Sequence, residues 1–418
     1  MVTVAGGLTE SCISVFGIDI ITGYSIHYFH PVVPGIRSHG RRRHHDLIQM
    51  NSSLSAHSIP DLPNILVDGF RHRLTCSPAF YILTHFHSDH YGGLNSRFDR
   101  GTILCTPITK SLICSLLQVP SEHVRTVDYN ESVDILGTKV TFLDAHHCPG
   151  AALLLFELAN GNNYLHTGDM RYHPQMKTYP PLKGLAIDRL YLDTTYAHPR
   201  HTFLSQQEAI HRVRESTREF LVAHPEGVVL ICAYNLGKEK LMLAVLDGIV
   251  TTVFVDEEKM RVLGCLGALT REHIDSGRFV TARAASRFHI CKMGAAGSVM
   301  PYFRPNFDLL RDYLSSLVGE HGMHVTRLLC IVPTGWAANS DYNRRNSLIE
   351  EDNVAVQLIP YSEHSNYLEL KEFVRFLKPR EVVPTVFKDV QSTASIAFEV
   401  ICFRMTTESE CWIFFGMM

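Results

Sequence analysis

Residues 83–94 read LTHFHSDHYGGL and follow the apolar run FYILT. Three histidines and an aspartate lie within six positions: His85, His87, Asp89 and His90. If the apolar run is a strand, His85 and His87 project to one side at its end and can reach one metal ion, while Asp89 and His90 lie where the chain turns and can face a second. Imidazoles and carboxylates suit zinc, and less specifically manganese or iron. The spacing therefore predicts a metal site that needs further ligands.

Candidates for those ligands stand at the ends of other apolar runs. AHHCPGA offers His146 or His147, LHTGD offers Asp169, and PYSEHS offers His364. A single histidine after a strand is more often an ordinary polar residue with its hydrogen bonds satisfied, so each assignment depends on these ends meeting in the fold. Asp68, on the run before the histidine cluster, is expected to accept a hydrogen bond from a ligand and hold the loop.

Composition limits the possible classes of protein. The 418 residues are enough for two or three domains, and a net charge of −3 does not indicate general binding to polyanions. Eleven cysteines without a CxxC pair are typical of buried free thiols in a reducing compartment. No apolar stretch is long enough to span a membrane, so we expect a soluble, intracellular protein with no membrane partner.

The chain changes character twice. Residues 1–59 contain RSHGRRRHH and NSSLSAHS, which predict a disordered basic, Ser-rich leader or, alternatively, a nuclear-import or nucleic-acid-binding patch. Residues 60–196 contain short apolar runs that indicate a sheet-rich layer. Residues 197–362 alternate helical and strand patterns, beginning with a capping box at SQQE (205–208), and indicate a parallel α/β unit. The segment 363–418 begins with an amphipathic helix.

These motifs together resemble a known family. HFHSDH, DAHHCPGA and HTGD resemble the metallo-β-lactamase fold, and YLDTTY, GKEK, PTGW and YSEHS resemble its β-CASP branch, the SNM nucleases of interstrand cross-link repair. The likeness runs from about Asp61 to Val386. It implies an α/β fold, a metallo-β-lactamase αβ/βα sandwich, with an inserted α/β β-CASP domain at 197–362. After Val386 the family pattern is lost, so the C-terminus is atypical.

The resemblance also implies roles for individual residues. One metal would be held by His85, His87 and His147, and the other by Asp89, His90 and His364. Asp169 would bridge the two, while Asp68 and Asp193 would organise the site. The aspartates with catalytic roles are then Asp68, Asp89, Asp169 and Asp193. The implied cofactor is zinc, as one or two ions, with other divalent metals as alternatives.

The implied activity is a nuclear 5′-to-3′ DNA exonuclease that prefers a 5′-phosphate. Its partner would be DNA, as single strands, duplex ends or cross-linked duplex, and no protein partner is predicted. Val386 stands where RNA-processing relatives carry histidine, which favours DNA. An RNA-processing β-CASP endonuclease and a non-catalytic DNA-binding scaffold remain as alternatives.

A phosphate site is predicted near the start of a helix. Gly237 and Lys238 would offer free backbone N–H groups and an ammonium group. The competing interpretation is a solvated helix end. Thr334, Gly335 and Ser365 lie in stretches that resemble the family and would complete the pocket.

Overall fold

The computed structural model describes residues 57–298, 303–338 and 347–386. The predicted leader, apart from residues 57–59, and the atypical stretch after Val386 lie outside these residues. The helices of the described part are α1 (Pro107–Leu116), α2 (Gln206–Ala223), α3 (Glu239–Leu246), α4 (Glu257–Gly264), α5 (Arg271–Asp275), α6 (Phe307–Gly319) and α7 (Tyr367–Leu377). None of these helices is long and apolar enough to cross a bilayer.

The described chain also contains nineteen strands, of which β4 to β9 follow one another with no α-helix between them. They are β1 (Ile65–Val67), β2 (Phe80–Ile82), β3 (Thr102–Cys105), β4 (Val124–Thr126), β5 (Ser132–Ile135), β6 (Thr138–Asp144), β7 (Ala152–Glu157), β8 (Asn163–His166), β9 (Arg189–Leu192), β10 (Gly227–Ala233), β11 (Val253–Phe254), β12 (Phe279–Val280), β13 (Phe288–Lys292), β14 (Gly297–Ser298), β15 (Arg304–Pro305), β16 (Arg327–Pro333), β17 (Leu348–Glu351), β18 (Val354–Ile359) and β19 (Glu381–Pro384).

Two sheets pack face to face in the first part of the molecule. One is four-stranded and parallel, in the order β1-β2-β3-β4, and the other is six-stranded, in the order β19-β9-β8-β7-β6-β5. Side chains of both sheets, such as Val67 and Ile82 from the first and Phe142 and Phe156 from the second, share one apolar cluster. Burial of apolar surface between the sheets is therefore what holds this sandwich together.

Helices cover the outer faces of this sandwich. Leu112 of α1 and Phe373 of α7 belong to a second apolar cluster that also contains Tyr81 and Leu190 from the outward faces of the two sheets. The start of α7 is fixed by a capping box, because Asn366 accepts from the amide of Glu369 while the Glu369 carboxylate accepts from the amide of Asn366. Helix α7 then leads into β19, which pairs in parallel with β9.

A seven-stranded sheet lies between β9 and α7 in the chain, in the order β12-β11-β13-β10-β16-β18-β17. Its pairs are parallel except β17 with β18. Leu230 of β10 packs in one apolar cluster with Leu314 of α6, while Ile231 packs on the opposite face with Val213 of α2. The predicted capping box at Ser205 and Glu208 is confirmed at the start of α2. We propose that the inserted part begins after residue 196 and ends at residue 362, as the sequence predicts.

Candidate metal centre

The predicted ligands meet where strands of both sheets end. His85 and its neighbours follow β2, His147 follows β6, and Asp169 follows β8. His364 lies between β18 and α7. The β2 end belongs to the four-stranded sheet and the β6 and β8 ends to the six-stranded sheet, so the sandwich itself brings these side chains together.

Three histidines direct unprotonated nitrogens at one point. Nδ1 of His85 lies 3.0 Å from the Thr84 hydroxyl, which itself donates to Asp68, so His85 donates from Nδ1 and keeps its lone pair on Nε2. His147 donates from Nδ1 to the Glu363 carbonyl at 2.7 Å, and His87 donates from Nε2 to the Leu236 carbonyl at 3.1 Å.

The remaining nitrogens of these rings are very close to one another. Nδ1 of His87 lies 3.0 Å from Nε2 of His85 and 3.1 Å from Nε2 of His147. Three lone pairs cannot hydrogen-bond to one another, so this arrangement calls for a cation between them. Two nitrogens bound to one tetrahedral zinc ion at about 2.1 Å lie about 3.4 Å apart, close to the separations seen here.

Asp169 is the common neighbour of the cluster. Its Oδ2 lies 3.6 Å from Nε2 of His85, 3.7 Å from that of His147 and 3.9 Å from that of His364. Nε2 of His90 lies 3.5 Å from the same oxygen. One carboxylate oxygen facing four imidazoles has the placement that a ligand shared by two ions requires.

Two further aspartates orient imidazoles from behind. Asp68 Oδ2 accepts from Nδ1 of His90 at 2.8 Å, and both oxygens of Asp68 also accept from Thr84, through its amide and its hydroxyl. Asp193 Oδ2 accepts from Nδ1 of His364 at 2.8 Å. In the neutral form of each histidine these contacts put the lone pair on Nε2, which is how carboxylates behind metal ligands act.

The electrostatics of the site fit a bound cation. Burial lowers the pKa of His85 and of His147 well below the usual value, so both imidazoles are in the neutral form that binds metal. Burial also lowers the pKa of His90, but the nearby carboxylates of Asp169 and Asp68 outweigh it and raise the value well above normal. A proton on His90 therefore neutralises the same carboxylate charge that a bound metal ion would neutralise.

The donor atoms fall into two compact groups among the described residues. His85, His87, His147 and Asp169 form one, with ligand atoms all within 4.8 Å of one another. Asp169, Asp193 and His364 form the other. Asp169 belongs to both groups, and the six different residues fit a metal ion by number and by type.

The ligands predicted for the second metal, Asp89, His90 and His364, lie less close together than those predicted for the first. Nε2 of His90 lies 3.6 Å from Oδ2 of Asp89, but the Asp89 side chain is 67% exposed and stands at the rim. Asp193, expected to organise the site, lies in the compact group with His364 in place of Asp89. Its Oδ1 accepts from the amide and hydroxyl of Thr195, which fixes the carboxylate in that orientation.

The structure distinguishes His146 from His147, between which the sequence left the choice of candidate ligand open. Nε2 of His146 lies 2.9 Å from the Tyr179 hydroxyl, and the His146 ring contacts His173 rather than the cluster. His147 alone of the pair faces Asp169. The sequence could not decide this, because it depends on the left-handed backbone at His146, with φ of 52°, which turns the loop.

The phosphate site at Gly237 and Lys238 stays a prediction, but the expectation that their backbone N–H groups are free is wrong. The amide of Gly237 donates to the Glu239 carboxylate at 2.9 Å, and the amide of Lys238 donates to Glu363 at 2.8 Å. The Lys238 ammonium is buried over the Tyr361 ring, 4.6 Å from its centroid. The chain's own carboxylates thus fill the place of the expected anion, and α3 begins at Glu239 rather than at Gly237.

The other residues assigned to that pocket support the backbone around the site. The Ser365 hydroxyl donates to the Met170 carbonyl and accepts from the Tyr172 amide. The Thr334 hydroxyl accepts from the Trp336 amide at 3.2 Å. Gly335 is packed so closely that an added Cβ would lie 2.7 Å from the Tyr196 hydroxyl.

Sequence reasoning missed three contributors to the site. Thr84 links Asp68 to His85, and the backbone carbonyls of Leu236 and Glu363 orient His87 and His147. Thr84 directly precedes the histidine cluster, so its position was a usable signal. The carbonyls carry no signal in the residue type, because any residue presents the same group.

Comparisons with known proteins agree with this geometry. Residues 73–224 match a family described as "Beta-lactamase superfamily domain", and residues 274–390 match one described as "DNA repair metallo-beta-lactamase". The first match contains most of the ligand cluster and the second contains His364. The predicted metallo-β-lactamase fold with a second, inserted α/β part is confirmed.

Three curated relatives illustrate the similarity. The chain is 35% identical to DNA ligase 6 of Arabidopsis thaliana (82% of this chain, 24% of that protein) and 36% identical to the DNA cross-link repair 1A protein of Homo sapiens (77% and 29%). It is 34% identical to the 5′ exonuclease Apollo of Gallus gallus (79% and 64%). It thus spans about a quarter to two thirds of their lengths. The chain thus carries a β-lactamase superfamily domain and a DNA repair metallo-β-lactamase domain, and over most of its length it is similar to DNA cross-link repair proteins and to Apollo.

Proposed function

We propose that this chain is a metal-dependent 5′-to-3′ DNA exonuclease that acts in the nucleus on interstrand cross-links and damaged ends. The observation that carries the proposal is the convergence of the His85, His87 and His147 lone pairs beside Asp169. The names of the relatives support it, since one is a DNA cross-link repair protein and another a 5′ exonuclease.

The proposed cofactor is zinc, as one or two ions. His85, His87 and His147 would hold the first, His364 and the rim pair His90 and Asp89 would serve the second, and Asp169 would be shared. Zinc bound there would supply a Lewis acid for a phosphoryl oxygen and a water that is acidic at neutral pH. The neutral imidazole nitrogen donors favour zinc over magnesium, which prefers oxygen ligands.

The chain's own residues prepare this chemistry. Asp68 and Asp193 hold the imidazoles of His90 and His364 in a single orientation, so no reorganisation is needed when substrate arrives. His85 is fully buried whereas Asp89 is largely exposed. The buried side thus excludes water, and the exposed rim is where a DNA strand would approach.

The surroundings of Val386 support DNA as the substrate. The Val386 amide and carbonyl both bond the Thr194 hydroxyl, at 3.2 and 2.6 Å, which places this residue next to Asp193. Its aliphatic side chain adds no further proton donor or ligand where RNA-processing relatives carry histidine, as the resemblance implies.

The proposal is tested with a labelled DNA strand carrying either a 5′-phosphate or a 5′-hydroxyl. Metal-loaded wild type should shorten the phosphorylated strand stepwise from its 5′ end and act more slowly on the hydroxyl strand. A variant with Asp89→Ala and His90→Ala should be inactive while remaining folded. A matched control, Asp99→Ala with His324→Ala, changes the same residue types at exposed positions away from the cluster and should keep wild-type activity.

Two outcomes would overturn the proposal. Cleavage of an RNA strand of the same sequence with the DNA spared would favour the RNA-processing endonuclease. Binding of DNA without cleavage, by folded protein shown to carry metal, would favour the scaffold.

A further inference from the structure

Three cysteines lie side by side in the seven-stranded sheet, away from the metal centre. Cys291, Cys232 and Cys330 belong to the neighbouring strands β13, β10 and β16. The Cys232 sulfur lies 3.5 Å from that of Cys291 and 3.8 Å from that of Cys330. The two sulfur distances are similar, so they do not decide which pair could be joined covalently.

The strand register does decide it. Cys232 is the direct partner of Cys291 across the parallel pair, whereas Cys330 is opposite Leu230, two residues earlier on β10. Adjacent strands lie about 4.8 Å apart, which is inside the Cα separation of about 4.4–6.8 Å that a disulfide accepts. The two-residue offset adds about 6.6 Å along the strand and puts the Cα atoms of Cys232 and Cys330 roughly 8 Å apart, too far for a bridge without backbone movement.

We infer that Cys232 and Cys291 form an oxidation site that closes to a disulfide on exposure to a peroxide, while Cys330 remains a thiol. The Cys232 thiolate attacks one peroxide oxygen, the O–O bond breaks, and hydroxide leaves as Cys232 becomes a sulfenic acid. The Cys291 sulfur then attacks the Cys232 sulfur, the S–O bond breaks, and the departing hydroxide takes the Cys291 proton as water. The hydroxide from the first step takes up the proton that Cys232 lost on ionising, so two thiols are oxidised by two electrons and one peroxide is reduced to two waters.

The surroundings of the three thiols suit this assignment. Cys291 is the half-buried member, while Cys232 and Cys330 are buried, so a small oxidant approaches from the Cys291 side. Hydrogen bonds with Cys291 and Cys330 lower the pKa of Cys232 well below its usual value, and the pKa values of Cys291 and Cys330 are raised. These shifts favour Cys232 as the thiol that ionises, and the thiolate is the reactive form.

A short stretch of backbone connects the cysteine site to the metal centre. Cys232 precedes Leu236 by four residues, and the Leu236 carbonyl accepts the hydrogen bond of the metal-site residue His87. A reducing compartment keeps both thiols free, so the bridge would form only under oxidative conditions. The proposal concerns the thiols alone and does not depend on the nuclease activity.

The experiment maps disulfides in the full chain. Folded protein is treated with hydrogen peroxide, remaining thiols are blocked, and the digest is analysed by mass spectrometry before and after reduction. We expect the peptide that joins Cys232 to Cys291 to exceed any peptide joining Cys232 to Cys330 by on the order of tenfold, because only the first pair is in register. The Cys330→Ala variant should keep the bridge, and Cys291→Ala should lose it without forming the alternative.

Each result is informative whether or not a variant folds poorly, because the wild type alone gives the pairing. A dominant bridge from Cys232 to Cys330 would overturn the inference. So would a wild type in which both thiols stay reduced while the half-buried Cys76 and Cys114 are oxidised. Bridging seen only in urea would show that the folded sheet does not permit it, and would overturn the inference too.

Discussion

The buried histidines of the seven-stranded sheet and of the sandwich differ in how their ring nitrogens are hydrogen-bonded. In the seven-stranded sheet, Nδ1 of His289 bonds the Tyr313 hydroxyl at 2.7 Å, and Nε2 bonds the carbonyls of Arg283 and Ser286. In the sandwich, one nitrogen of His85 or His147 is satisfied and the other faces only lone pairs and Asp169. A buried histidine with both nitrogens partnered is structural, and a group whose second nitrogens converge is a ligand set.

The charged groups show the same contrast. In the inserted part, the Lys259 ammonium lies 2.7 Å from the Glu239 carboxylate and also donates to backbone carbonyls, so this buried pair is neutralised within the chain. Asp169, by comparison, faces four imidazoles and has no lysine or arginine partner among the described residues. The second arrangement is balanced by an added cation, and the first needs none.

The largest expected effect is on the shared carboxylate. Asp169→Asn keeps the shape of the side chain but removes the negative charge common to both compact groups. We expect DNA cleavage to fall by on the order of 10³-fold or more, because a shared ligand supports both proposed ions. The measurement is the initial rate on a 5′-phosphorylated strand.

Asp312→Asn, the same change at an exposed position of α6, is the control for that prediction. It should cleave at the wild-type rate. An Asp169→Asn protein that also cleaves at the wild-type rate would remove the distinction drawn between the two regions.

The next effect concerns stability rather than activity. Glu239→Ala leaves the Lys259 ammonium buried without its carboxylate and removes the acceptor of the Gly237 amide. The free energy of unfolding should fall by about 3–5 kcal/mol, as measured by urea denaturation. Combining this change with Lys259→Met should recover part of the loss, because the uncompensated charge is gone. A double variant no more stable than Glu239→Ala alone would show that Glu239 and Lys259 do not neutralise each other.

A smaller effect is expected from the carboxylate behind His364. Asp193→Asn keeps a side-chain oxygen for the imidazole but removes the charge that outweighs burial and raises the His364 pKa. Metal affinity should fall by about 10–100-fold, the usual consequence of losing such a partner. The measurement is competition with a chelator, followed by the metal retained. Unchanged affinity would show that Asp193 does not act through His364.

The smallest effect is a pH dependence of stability in the inserted part. Burial lowers the pKa of His289 from 6.5 to about 4, so below pH 6.5 the unfolded chain binds a proton that the folded chain does not. Its contribution to stability is therefore complete above pH 6.5 and is lost as the pH falls toward 4, with about 2 kcal/mol gone at pH 5. His289→Gln should flatten the curve of unfolding free energy between pH 7.5 and 5 by about that amount. Parallel curves for wild type and variant would contradict the assignment.

The sequence predicted the ligand cluster well because chemistry and spacing coincide there. His85 and His87 alternate at a strand end, and glycine-containing turns hold His147 and Asp169 at the ends of other strands, so local rules predicted residues that the structure brings together. The same rules could not show that the Lys238 amide already has a partner, because the carboxylate that accepts from it belongs to Glu363, 125 residues away. Contacts of that range depend on the tertiary fold, which no local pattern reports.

The sequence predicted only in part which aspartates would bind metal and which would hold a metal-binding histidine in place. Asp68 was expected to hold a ligand, and the structure places it against His90. The choice between Asp89 and Asp193 beside His364 depends on how β9 and the loop after β18 approach each other, and residue type does not encode this. The role of each aspartate stays a prediction.

The central claim is that the converging imidazoles bind metal, and elemental analysis tests it most directly. Wild type, Asp169→Asn and His289→Gln are purified, exposed to zinc, passed through a desalting column and analysed for metal per chain. We expect one or two zinc ions per chain in wild type and in His289→Gln, and fewer in Asp169→Asn. Folded wild type that retains no zinc, manganese or iron under these conditions would contradict it.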